Sequence, residues 1–320
     1  MGILARSLCL LAAAAASMAA GRAAAQDAAC VPPPGIAEIQ QAVIKTPRRD
    51  RGLLWRLEKD GRTSWLYGTV HVGRLEWGAP GPTIMKALAA SDVLVLELDL
   101  TQAGEQAPRV PPLDAGASAR VLAGGLDERL KSALKQGCVP EAAQSWRPAM
   151  QVVMLTVLSA RSAGLHPELG IDWILTAMAP HMGKRIVALE TVAGQMKAML
   201  PASESEEREM IVEAIDPAER LRARAQLARM VAAWERSDAD DMAAYPQWCD
   251  CLKTDLDRAM MRRMNDDRNP AMADKMAALH GEGTRFFAAV GALHMTGPQS
   301  LVTLLRARGF DVQRVAFDGK

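Results

Sequence analysis

Two of the chain's five histidines close the same phrase. Leu66–Gly73 reads "LYGTVHVG" and ends a strand-like run on Gly68-Thr69-Val70-His71; Phe287–Gly297 reads "FAAVGALHMTG" and does the same with Gly291-Ala292-Leu293-His294. Two further strand-like runs deliver carboxylates, Glu97 within Val93–Leu98 and Glu190 directly after Arg185–Leu189. Two imidazoles and two carboxylates are a donor set suited to a divalent cation, Mn, Co or Zn in preference to copper. A cation so held activates water near neutral pH, and a spare carboxylate can serve as general base. In open α/β sheets, ligands gather beyond the carboxyl ends of the strands. His71, Glu97, Glu190 and His294 therefore meet if their four strands are parallel neighbours, with Gly68 and Gly291 allowing close backbone approach.

Each of these residues also has a purely structural reading. A histidine after a strand is often only a satisfied polar group, and Glu190 can cap a helix starting at about Thr191. Asp99, two residues beyond Glu97, can replace it as the working acid on the same face. His166, His181 and His280 lie in or beside polar helical segments and are assigned to the surface; the methionines from Met242 to Met276 are assigned to helix packing. Arg268, in "MNDDRNPAMADKM", has two readings. Either the junction is structural, with Asn269 capping a helix and Pro270 opening it, or the guanidinium lies over the site to bind a carboxylate or steady an oxyanion. No Gly-x-Ser-x-Gly elbow, His-Glu-x-x-His helix or phosphate-binding glycine loop occurs, so a serine hydrolase has no support.

The elements that must position these groups are legible in outline. Leu53–Leu57 and Arg62–Val70 read as a hairpin turned by Asp60-Gly61. Pro82 opens a helix to about Ala90, and Val93–Leu98 has the density of a buried strand. Residues 101–117 read as a loop. Helical spacing follows from about Ser118 to Pro180, broken at Gly137, Pro148 and Gly164, and again from about 192 to 279. Arg285–Ala292 is a strand, Pro298–Arg308 a helix closed by Gly309, and Phe310–Ala316 a last strand. Strands alternating with helices at both ends predict an α/β domain over 52–320. It has a central mixed sheet, flanking helices and a large helical insertion at about 118–180 and 192–279.

Composition narrows the function classes. Lys and Arg total 38 against 37 acids, a balance that argues against a nucleic-acid surface. The first 25 residues read as a signal peptide, with Arg6, the apolar core Leu8–Ala20 and Ala23-Ala24-Ala25 before Gln26. Cleavage there removes two arginines and no acid, turning a formal +1 into −1. No later segment reads as a membrane span, so the expected location is the periplasm or beyond. Residues 26–51, with Pro32-Pro33-Pro34, read as an irregular lead-in. Cys30, Cys138, Cys249 and Cys251 remain, allowing three disulfide pairings or a thiolate metal pair at Cys249-Asp250-Cys251.

The chain resembles the TraB/GumN family, which includes the Tiki proteins and is distantly related to erythromycin esterases and ChaN haem-binding lipoproteins. The resemblance rests on "LYGTVHVG", "VLVLELDL", "GIDWILTAMAPHMGKRIVALET", "MNDDRNPAMADKM" and "FFAAVGALHMTGPQSLVTLLRARGFDVQRV", in that order, from about Leu53 to Val315. It implies a central sheet of the erythromycin esterase/ChaN-like kind with paired Gly-x-x-His motifs at the active site. By analogy with the Tiki branch it implies a metal-dependent peptidase. His71, His294 and Glu190 are then metal ligands, and Glu97 is an acid/base or ligand. The Arg-Asn junction and Gly170-Ile171-Asp172 are also family positions, which raises Arg268 to the active-site set. The expected partner is a peptide or small-molecule substrate. The alternative expectation is a non-catalytic periplasmic binding protein for haem, metal or a polysaccharide-related ligand.

Overall fold

The Asp60-Gly61 turn forms as its chemistry requires. Both residues take left-handed backbone (φ 51° and 72°), and Lys59 faces Arg62, so β1 (Leu53–Lys59) and β2 (Arg62–Thr69) are antiparallel across a two-residue loop. The structure is a computed structural model that describes residues 30–102 and 110–317. The expected signal peptide and most of the loop after Gln102 lie outside the described residues. β3 (Val93–Leu96), β4 (Arg185–Ala188) and β5 (Phe286–Gly291) complete the sheet with β6 (Asp311–Val315). The strand order is β4-β3-β5-β2-β1-β6. β2, β3, β4 and β5 run parallel and adjacent, while β1 pairs antiparallel with β2 and β6. The four strands preceding His71, Glu97, Glu190 and His294 are thus neighbours ending at one edge of the sheet.

Burial explains the parallel centre. All four residues of β3 are buried, as are Phe286–Val290 of β5, since a parallel strand is covered on both faces. The main core joins these strands to Ile84, Leu88, Trp234, Met272, Met276 and Leu301 from the flanking helices. Trp234, at the end of helix Pro217–Glu235, donates its indole N–H to the Gly68 carbonyl at 2.7 Å and packs beside Tyr67 and Trp77. The helical insertion has an interior of its own, built from Leu130, Leu134, Val152, Leu155, Ile211 and Ile215. There Glu207, fully buried, accepts from Arg147 at 2.7 Å and from the Ala149 N–H at 3.1 Å. Among the described residues no helix is long and apolar enough to cross a membrane.

Several local expectations need correction. The lead-in contains helix Ile36–Lys45, whose half-buried Ile39, Ala42 and Val43 form the apolar stripe that holds it. The loop expected to 117 gives way earlier, because Asp114 caps helix Ala115–Val121 through the Ala117 N–H. The last helix starts at Leu301, where Ser300 provides the cap. Of the three histidines expected at the surface, His166 and His280 are buried and His181 alone is exposed. His280 is satisfied in place: the Ser64 hydroxyl lies 3.2 Å from Nδ1, and Nε2–H donates to the Lys59 carbonyl at 2.8 Å. Cys249 and Cys251 are joined in a disulfide across Asp250, which adopts φ 50°; a thiolate metal pair is therefore not present.

Candidate functional site

His71 lies two residues beyond β2. Its Nδ1 sits 2.7 Å from Asp172 Oδ2, and the Thr69 hydroxyl donates to the other Asp172 oxygen at 2.8 Å. Asp172 lies in the first turn of helix Ile171–Met178, which is tied to the same strand end by the Ile171 N–H donating to the Val70 carbonyl at 3.0 Å. His294 follows β5 in the short turn Ala292–Met295. Its Nδ1 lies 2.6 Å from Asn269 Oδ1, and Asn269 Nδ2 donates to the Gln299 carbonyl at 2.8 Å. That second bond fixes the amide so that its oxygen faces His294. Both rings therefore donate through Nδ1, the orientation of histidines that present Nε2 to a metal.

Glu97 stands between the two rings. Its Oε1 accepts the Gly291 N–H at 2.8 Å and lies 3.8 Å from His294 Nε2. Gly291 shows how closely the groups gather. A Cβ added there would lie 3.3 Å from both Glu97 Oε1 and His71 Nε2, and 3.6 Å from His294 Cδ2. The residue at this point has to be small because three functional side chains surround it.

The rear of the site is a cation between two carboxylates. Arg268 Nη2 lies 2.5 Å from Glu97 Oε2 and 2.5 Å from Glu190 Oε2, its Nε donates to Glu190 Oε1 at 3.0 Å, and Nη1 donates to the Met264 carbonyl at 2.6 Å. Gln195 adds donations to Glu97 at 2.8 Å and Glu190 at 3.2 Å. Every nitrogen of Arg268 is thus engaged with the protein, which places the guanidinium behind the carboxylates. Glu190 faces Arg268, and capping of the next helix falls to Thr191 through the Gly194 N–H. Asp99 turns away to accept from Thr101.

The electrostatics of the two histidines are opposed. Asp172 raises His71 to about 9, by its charge first and its hydrogen bond as well. Burial pulls His294 down to about 4, although Glu97 and Glu190 oppose it. Burial also works against ionisation of Glu97, but His294, His71, Arg268 and the Gly291 N–H together outweigh it and hold the carboxyl at about 2. At neutral pH His294 thus keeps a free lone pair and Glu97 is ionised.

Donor type suits a divalent cation, with His294 Nε2, Glu97 Oε1 and, once its proton is released, His71 Nε2 around one space. Their separation does not yet match ligation: among the described residues no three His, Cys, Asp or Glu side chains stand close enough to hold a metal as they are.

The sequence reading placed the four strand ends and Arg268 together but missed the groups that aim them. In the sequence Asn269 reads as a helix cap within the family's Arg-Asn junction, Asp172 as a family position, and Gln195 carries no signal.

A sheet whose parallel strand ends deliver paired Gly-x-x-His motifs and a buried glutamate defines a class, and comparison with known proteins agrees. The TraB/PrgY/gumN family model matches residues 53–314, and the chain belongs to that family. It is similar to the "Uncharacterized protein YbaP" of Shigella flexneri, 27% identical over 248 residues, covering 77% of this chain and 88% of that protein. The protein of the same description from Escherichia coli (strain K12) is 27% identical over 244 residues, covering 75% and 87%. No solved structure matches the chain.

Proposed function

We propose that the protein is an exported metal-dependent hydrolase acting on peptide bonds, with His71, His294 and Glu97 holding a divalent cation, Mn, Co or Zn. The supporting observation is the aim of the two rings: Asp172 and Asn269 each occupy an Nδ1, with His71 Nε2 and Glu97 Oε1 beside Gly291 and His294 Nε2 3.8 Å from Glu97 Oε1. When bound, such a cation polarises a scissile carbonyl as a Lewis acid. His294 offers its lone pair at neutral pH because burial keeps it unprotonated. His71 must first release the proton that Asp172 favours. Glu97, held at about 2, accepts a proton poorly and serves better as a fixed negative charge than as a general base. Arg268, Glu190 and Gln195 set its orientation from behind.

Metal analysis of the purified protein, paired with a peptide-cleavage assay in Mn, Co or Zn, tests this reading. The expected result is near-stoichiometric metal and cleavage, both lost in His71→Ala and in His294→Ala. Metal bound without cleavage of any peptide would favour a binding protein instead, and failure of all three metals to bind the wild-type chain would end the proposal.

A further inference from the structure

We infer that the cavity above the two histidines is a side-chain pocket that selects a long apolar residue, methionine or leucine, beside the bond to be cleaved. This rests on the hydrolase reading, which it deepens. The cavity encloses about 460 Å³, and His71, His294 and Gly291 form part of its lining. That volume lies within the usual span of ligand pockets, about 300–1,000 Å³, and exceeds the needs of a single water or ion.

The walls decide what enters. Met230 comes from helix Pro217–Glu235, Met260 and Met261 from helix Asp255–Met261, and Met264 from the π-helical segment Arg262–Asp266; Leu252 and Leu293 complete the apolar surface. Two separate stretches, helix Pro217–Glu235 and the continuous run Asp255–Asp266, thus converge four thioethers on one space. Unbranched thioether side chains are polarizable and adapt to the shape of an apolar guest. They provide almost no hydrogen bonding for a sugar ring, whose buried hydroxyls would each lose water at a cost of about 1–3 kcal/mol. The wall is also held in shape. The Cys249–Cys251 disulfide fixes its turn, the Tyr245 O–H lies 3.4 Å from Cys251 Sγ, and both Tyr245 and Cys251 line the cavity.

Two of the polar lining groups point the same way. Glu213 and Asp257 are acids on the cavity wall, of like sign to an entering carboxylate. A further carboxylate is repelled there. The pocket therefore ranks apolar side chains first and acidic ones last, with the selected residue placed so that its backbone carbonyl reaches the two imidazoles.

A degenerate peptide library incubated with the full mature chain and Mn, Co or Zn, with cleavage sites read by mass spectrometry, tests the ranking. Methionine and leucine should be enriched at one position flanking the cut by at least about tenfold over aspartate and glutamate, as burying one such side chain implies. Cleavage with no preference at any flanking position, or with an acidic one, would overturn the pocket and leave the hydrolase reading standing. Met261→Lys, and separately Met230→Gln, should raise KM for the preferred peptide about tenfold while kcat stays within about threefold and metal content is unchanged. Two folded variants with wild-type KM would overturn the inference. If no peptide is cleaved, the pocket is read directly from the methyl signals of Met230 and Met261. They should shift with N-acetylmethionine amide and not with N-acetylaspartate amide, and equal responses to both would overturn it.

Discussion

His71 and His294 end adjacent parallel strands within the same four-residue phrase, yet their surroundings differ in each respect that governs protonation. His71 has a side chain 67% exposed and a carboxylate on Nδ1; His294 is 6% exposed and has an amide oxygen there. One ring is drawn up to about 9 and the other down to about 4. The motif sets where each ring stands, and a residue from a distant segment sets its charge. Asp172 is 101 positions from His71, whereas Asn269 is 25 from His294.

The strongest way to break this pair of arms is to remove the cation behind the carboxylate that they share. Arg268→Ala leaves Glu97 and Glu190, only 8% and 15% exposed, facing each other unpaired. A loss of about 3–5 kcal/mol in urea unfolding is expected, partly restored when Glu97→Gln is added. An unchanged urea midpoint would remove Arg268 from the account.

Asp172→Asn tests the exposed arm. Above about pH 9, where no proton competes on His71 in either chain, metal affinity should fall about 10–100-fold, as for other loosened histidine ligands; near neutral pH the lost proton competition offsets that fall. The pH response should change as well. In the wild type a proton held on His71 up to about 9 competes with the cation, so affinity climbs as pH rises toward that value. In the variant the climb should flatten near the ordinary histidine range, about 6.5. Calorimetric titration at several pH values measures both, and parallel curves would show that Asp172 does not set the His71 proton.

Asn269→Asp makes the buried arm resemble the exposed one. His294 should then titrate above its present value of about 4, as followed by NMR of its ring. No movement would mean that burial alone fixes it. The smallest effect belongs to Thr69→Val, which removes one hydrogen bond to Asp172 and should cost about 1 kcal/mol; thermal unfolding would detect it.

Much of this arrangement was legible before any coordinates. Dense aliphatic runs such as Val93–Leu96 announce buried strands, and Asp60-Gly61 announces its turn, because both signals are local. The helix starts at Ala115 and Leu301 were displaced by caps at Asp114 and Ser300, a matter of single side chains. The orienting residues Asp172, Asn269 and Gln195 were hidden for another reason. Each lies on a helix, and only the packing of that helix onto a strand end gives its polar side chain a task. His280 shows the converse: in a charged helical segment it reads as surface, yet it is buried against Phe286 and Phe310.

The strand order carries a consequence for how the protein is made. β5 is the fifth strand to leave the ribosome but occupies the middle of the sheet, between β3 and β2, which do not pair with each other. Before it arrives, the β1–β2 hairpin bears His71 and the β3–β4 pair bears Glu97 and Glu190, with no ladder between them. The bond from the Gly291 N–H to Glu97 spans 194 residues, and chains dominated by such distant pairings fold slowly. The site is therefore dark during synthesis: whatever chemistry it performs begins only after Gly291 has emerged and β5 has slotted between β3 and β2.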